Sequence, residues 1–148
     1  MAAIGKIIDS NPVVGGRTTN QILDTWKDGI FLKKEDITRN IKGLRSPQIG
    51  AVYAVLSHWE ISSDPATVVM PTGTGKTEVM LSLLIAATCS KTMIIVPTDA
   101  LRTQISNKVA SLGLLSNPQF GLIKETVLKP IVGVMSHRPC SAEEAIAF

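Results

Sequence analysis

Aromatic residues and cysteines are scarce in this sequence, and nowhere is an Asp followed directly by a Glu. Aromatics make up 4% of the 148 residues while hydrophobic residues reach 45%, so the core has to be aliphatic, which suits helices packed on a sheet better than a β-sandwich. The two cysteines, Cys89 and Cys140, fit no ligand spacing, and His58 and His137 have no ligating companions. That excludes a zinc module and a disulfide scaffold and fits a reduced, cytoplasmic chain. The longest apolar run, Val79 to Ala87, falls far short of a membrane span, and the N-terminal MAAIGKIIDSNP holds no sustained apolar stretch before Asp9 and Pro12; neither a membrane anchor nor a signal peptide is expected. No internal repeat or low-complexity tract occurs. A net charge of +3 permits a nucleic-acid partner without requiring one.

The chain is organised around Ala66 to Leu84, reading ATVVMPTGTGKTEVMLSLL. Thr67, Val68 and Val69 are β-branched or apolar and predict a short buried strand. A turn built on Gly73 and Gly75 follows. Lys76, Thr77 and Glu78 then open a helix whose body, Val79 to Ile85, is too apolar for one amphipathic face and predicts burial. This order is what phosphate binding needs. A helix N-terminus leaves backbone N–H groups unpaired with a dipole that favours an anion, and glycines let the backbone wrap it. Lys76 would reach the β- and γ-phosphates, and the Thr77 hydroxyl would ligate a bridging Mg²⁺. The full P-loop pattern wants a glycine where Met70 stands, so the match is to the relaxed form. Such a match arises by chance in a chain of this length about once in a few hundred, which makes a plain glycine turn the weaker reading.

Elsewhere the pattern is that of an α/β domain. Residues Met1 to Gly16 read as loose. Thr19 to Trp26 predicts a helix ended by Lys27-Asp28-Gly29, Ile30 to Leu32 is an apolar run of undecided type, and Lys33 to Gly43 is a charged, solvated stretch. Ser46 predicts an N-cap with Pro47 at the first helical position, and Ile49, Val52, Tyr53, Leu56 and Trp59 recur at helical spacing. Thr92 to Val96 predicts a second buried strand. Strand, helix, strand with short links is a βαβ unit with parallel, right-handed pairing. Asp99 or Thr98 caps a helix carrying Leu101, Ile105, Val109 and Leu112, which Gly113 ends. Leu114 to Lys129 reads as connection and Ile131 to Met135 as a third strand. Ser141 to Glu144 is a capping box for a helix that stops on its first apolar residues and reads as cut.

Taken in order, LRSPQ, PTGTGKT and VPTDALRTQ resemble the first RecA-like lobe of superfamily 2 helicases, nearest to the DEAD/DEAH-like group that includes type III restriction-enzyme helicase subunits. The resemblance runs from Leu44 to about Leu112. It implies a P-loop NTPase fold, a three-layer parallel sheet with helices on both faces. It also implies ATP and Mg²⁺ as cofactors, movement on nucleic acid (DNA ahead of RNA), and restriction/modification-type partner subunits. Residues 1–43 would be a mostly helical extension, and 44–148 the N-terminal part of the ATP-binding lobe. Gln48, with Arg45, matches the adenine-reading element. Thr72, Gly73, Thr74, Gly75, Lys76, Thr77 and Glu78 match the phosphate loop, with Lys76 and Thr77 in the catalytic and metal roles. Pro97, Thr98, Leu101 and Gln104 match the segment that touches the nucleic-acid backbone, although Asp99 stands where many relatives carry a base. Phe31 lies where some DEAD-box proteins stack an aromatic on adenine; a core phenylalanine is the stronger reading.

Two parts of the family's chemistry are missing. There is no D-E-x-x to hold Mg²⁺ and orient water, and no second lobe to supply an arginine finger. The resemblance also implies intervening strands between the Val68 and Ile94 strands, which would hold these about 14 Å apart, three strand spacings. The lobe therefore reads as incomplete and inactive alone. A non-catalytic nucleotide-binding or interaction module is the alternative. A small P-loop kinase would need an acceptor site and clamping arginines, for which no cluster is present; nucleic-acid stimulation of turnover in a longer version would separate it from a helicase.

Overall fold

The computed structural model describes residues 5–10, 18–135 and 141–143. Its elements run β1 (Gly5–Asp9), α1 (Thr19–Trp26), α2 (Ser46–Ile61), α3 (Lys76–Ala86), α4 (Asp99–Ser111), a 3₁₀ turn (Gly113–Ser116) and β2 (Ile131–Met135). All four α-helices form where the periodicity places them, with the N-cap of α2 one residue earlier than expected. At α1 the Thr18 hydroxyl accepts from the Gln21 N–H at 3.3 Å while the Gln21 side chain takes the Thr18 N–H at 3.0 Å, a reciprocal capping box. At α4 the Thr98 hydroxyl accepts from the Leu101 N–H. Leu112, in the left-handed region, and Gly113 end that helix.

The core gathers Ile22 and Trp26 of α1, Leu44, Leu81, Leu84 and Ile85 of α3, Val109 of α4, and Leu112, Leu115 and Leu122. Leu81, Leu84 and Ile85 are one helical stripe, so α3 is the central beam of the packing. Helix α2 packs along α3, and β2 lies against α4. The C-terminal end of α1 is tied to the far chain: Trp26 Nε1 donates to the Leu128 carbonyl at 2.7 Å and the Leu128 N–H donates to Thr25 Oγ1 at 3.0 Å. Gly29 is required here because a Cβ would meet the Thr25 carbonyl at 2.6 Å. Its own carbonyl takes the Lys124 N–H, next to a bridge between Ile30 and Ile123. Among the described residues of 1–43, one strand and one helix form, and the rest is loop.

Several expectations are corrected. Thr67 to Val69 and Thr92 to Val96 form no strand and no βαβ ladder. A strand exists only through its neighbour's hydrogen bonds, and the backbone groups of 67–70 and 92–96 bond to nothing among the described residues. The sheet that does form is two-stranded and antiparallel, β1 on β2, with Gly5 opposite Met135 and Asp9 opposite Ile131. Strand β2 lies where expected, but its partner falls in the stretch read as loose. Arg45, not Ser46, holds the N-cap position of α2, with φ −69° and ψ 152°; the Gln48 side-chain oxygen accepts the Arg45 N–H at 2.7 Å, and Ser46 and Pro47 become the first two helical residues. Phe31 is 47% exposed and not in the core. The stretch read as connection from Leu114 supplies two fully buried leucines, Leu115 and Leu122. Lys33 to Gly43, left open between helix and loop, is a loop folded on Asp36: the Thr38 hydroxyl and the Arg39 N–H hold that carboxyl below its usual range. The helix expected after the Ser141 capping box lies mostly outside the described residues, as do His137 and Cys140.

Candidate functional site

The site is the turn from Pro71 to Thr77 at the head of α3. Gly73 and Gly75 stand at φ 79° and 85°, a region that glycine enters without strain and other residues rarely adopt. A Cβ at Gly75 would also run into Gln48 Nε2. Gly75 is the N-cap of α3, and the first bond of the helix runs from the Val79 N–H to the Gly75 carbonyl. The N–H groups of Gly75, Lys76, Thr77 and Glu78 therefore donate to nothing among the described residues. Together with the helix dipole they form a small electropositive concavity.

The loop is closed on the Pro71 carbonyl. Thr74 Oγ1 donates to it at 2.7 Å and Lys76 Nζ at 2.9 Å. The ammonium is thus parked over the turn and exposed, held by one neutral acceptor that a phosphate oxygen would outcompete. Thr77 follows, half-buried on the first turn. Glu78 stays beside the turn: its Oε2 lies 3.0 Å from where a Cβ on Gly75 would be, while its Oε1 is 4.0 Å from Lys108 Nζ on α4. That pairing offsets the acid that would otherwise repel an anion beside it.

Arg45 and Gln48 come from the start of α2 and reach the same loop. Arg45 Nη1 donates to the Gly73 carbonyl at 3.1 Å and Gln48 Nε2 to the Gly75 carbonyl at 3.2 Å. The resemblance of LRSPQ to the adenine-reading element singled out both residues, but as base-reading groups; their contacts with the glycine carbonyls carried no separate signal. Pro97, Thr98 and Gln104 are exposed at the head of α4. Thr98 caps its own helix, and Asp99 pairs with Arg102 at 3.1 Å. No hydrogen bond or ion pair among the described residues links these three positions to the glycine turn.

Behind the turn lies an apolar groove of about 280 Å³, with Val68, Met70, Lys76, Thr92 and Ile94 among its lining residues. The two ladderless segments contribute to its walls. Cys89 opens into it, and burial pushes that thiol up from its ordinary value.

A family model described as type III restriction enzyme, res subunit, matches residues 41–129. The chain belongs to that family. The match takes in Arg45, Gln48, the whole Pro71–Thr77 turn and the head of α4, so every contact described above lies inside the res-subunit region. This family carries a helicase-like P-loop domain. No curated protein and no solved structure matches the chain. No helix among the described residues is long and apolar enough to cross a membrane, and no group of metal-ligating side chains occurs among them.

Proposed function

We propose that this res-subunit chain is the ATP-binding part of a nucleic-acid translocase or helicase, acting on DNA in preference to RNA, whose complete lobe is a three-layer parallel sheet of RecA type. The observation that carries this reading is the free set of N–H groups at Gly75 to Glu78 with the Lys76 ammonium beside them. The fit to a nucleotide is good on the chain's own chemistry. The turn has N–H donors without acceptors among the described residues, an exposed ammonium at Lys76, and a hydroxyl at Thr77. The phosphates would lie on Thr72 to Glu78, adenine beside Gln48 and Arg45, and Mg²⁺ between Thr77 and the phosphates. A bound Mg²⁺ would neutralise phosphate charge there.

ATP and ADP titrated into the chain with Mg²⁺ in a calorimeter are expected to bind at one site. Absence of binding by a chain whose far-ultraviolet circular dichroism shows the helices would overturn the reading. Binding without turnover is expected, because no Asp-Glu pair is present to orient water. The same fact favours the second reading, a non-catalytic nucleotide-binding module. Phosphate release stimulated by nucleic acid would exclude that alternative.

Nucleic-acid contact would rest on the head of α4, at Pro97, Thr98 and Gln104. Such contact is to the backbone, so binding is expected to be weak, indifferent to sequence and lost as salt rises. Fluorescence anisotropy of a labelled oligonucleotide between low and physiological salt checks this. Tight binding that survives high salt would place the interface elsewhere.

A further inference from the structure

We propose that Gln48 and Arg45 are positioning residues that set phosphate affinity by bracing the glycine turn, whatever base the ligand carries. The proposal rests on the reading of that turn as a phosphate site. Its starting point is a cost. Two glycines with positive φ make the turn possible, but glycine gives up more conformational freedom on ordering than any other residue. A turn left to itself would sample many shapes, few of them with the N–H groups of Gly75 to Glu78 converging. Something outside the turn has to fix it.

The carbonyls of the two left-handed glycines are the acceptors that α2 takes. Arg45 Nη1 holds that of Gly73 at 3.1 Å, and Gln48 Nε2 that of Gly75 at 3.2 Å. Gln48 is only 4% exposed. Its oxygen is committed to the Arg45 N–H at 2.7 Å, which fixes the carboxamide with its donor end toward Gly75. A chain of bonds therefore runs from the α2 backbone through one side chain to the N-cap of α3. Pro47, with its locked φ, stiffens the element from which both side chains project. A base that drew on both ends of the Gln48 amide would have to break both bonds, so base binding and loop shape are coupled through this side chain.

Inorganic tripolyphosphate is the deciding probe, because it has no base. Its affinity for Gln48→Ala is expected to fall about tenfold, the worth of one lost buried hydrogen bond and the disorder it releases. ATP should lose at least as much. Gln48→Glu, which keeps the acceptor and sets a carboxylate against the Gly75 carbonyl, should lose more. Arg45→Lys, which keeps a donor, should retain more affinity than Arg45→Ala. Unchanged tripolyphosphate affinity alongside weakened ATP would overturn the brace and leave Gln48 a base reader only.

Hydrogen exchange followed by mass spectrometry on the ligand-free chain gives a second readout that needs no ligand. Gln48→Ala is expected to speed exchange across residues 73–80 while the peptides of α1 and α4 stay as in the parent. Equal exchange rates in parent and variant would overturn the brace. A parent chain that binds neither tripolyphosphate nor ATP would overturn the phosphate reading instead, and the exchange result would then decide the brace by itself.

Discussion

Lys76→Ala is expected to abolish measurable ATP and ADP binding while leaving the helices intact. The Lys76 side chain is exposed, and its one hydrogen bond among the described residues is to the Pro71 carbonyl at 2.9 Å. Removing it costs the fold little, because Thr74 Oγ1 still closes the turn on the same carbonyl. It costs a bound phosphate the positive charge that Lys76 carries at the head of α3. A charge-assisted hydrogen bond contributes about 1.5–3 kcal/mol, and losing its attraction for two phosphates as well should weaken binding by about 100-fold or more. Calorimetry of parent and variant, with circular dichroism to confirm equal helicity, reads the effect. Unchanged affinity would remove the nucleotide from this turn, and with it the proposed function.

How much of this was legible beforehand differs by the kind of interaction. The helices were, since a cap and a 3.6-residue period are written in neighbouring residues: Thr18 with Gln21, Thr98 before Leu101. The glycine turn was legible for the same reason, its conformation following from two glycines and the helix after them. The N-cap of α2 moved by one residue because Gln48, three positions on, accepts the Arg45 N–H, a choice that a favourable Ser-Pro pair concealed. Strands were a different matter. Val68, Val69 and Ile94 carry every local sign of a strand, yet a ladder is a property of two segments. Here no described segment lies alongside either one. Conversely, Gly5 to Asp9 has almost no alternation and still pairs, because Ile131 to Met135 is there to receive it. Leu115 and Leu122 entered the core from a stretch with no period at all, through the 3₁₀ turn and the bridge beside Ile123.

Those ladderless segments set the expected behaviour of the 148-residue chain in solution. Their side chains alternate. Val68, Met70, Thr92 and Ile94 line the groove, while Val69 at 90% exposure, Ile95 at 87% and Met93 at 69% lie open to water. Their backbone donors and acceptors have no partner among the described residues. Bare apolar edges of this kind template pairing with other copies. The chain is therefore expected to aggregate at concentrations on the order of 10 μM. The double variant Val69→Lys with Ile95→Lys should stay in solution at about tenfold higher concentration or more, since each apolar side chain buried against a neighbour contributes about 1.5–3 kcal/mol. Neither residue belongs to the core, so helicity should not change. Ile61→Lys is the control: it removes an equally exposed isoleucine from the end of α2, a residue of neither segment, and should leave aggregation as it was. Sedimentation velocity over a concentration series separates these outcomes, with a phosphate-release assay alongside that should register no ATP turnover. A parent chain that stays monomeric at high concentration and steadily hydrolyses ATP would mean that the 67–70 and 92–96 edges are covered in solution and that the domain is catalytically complete.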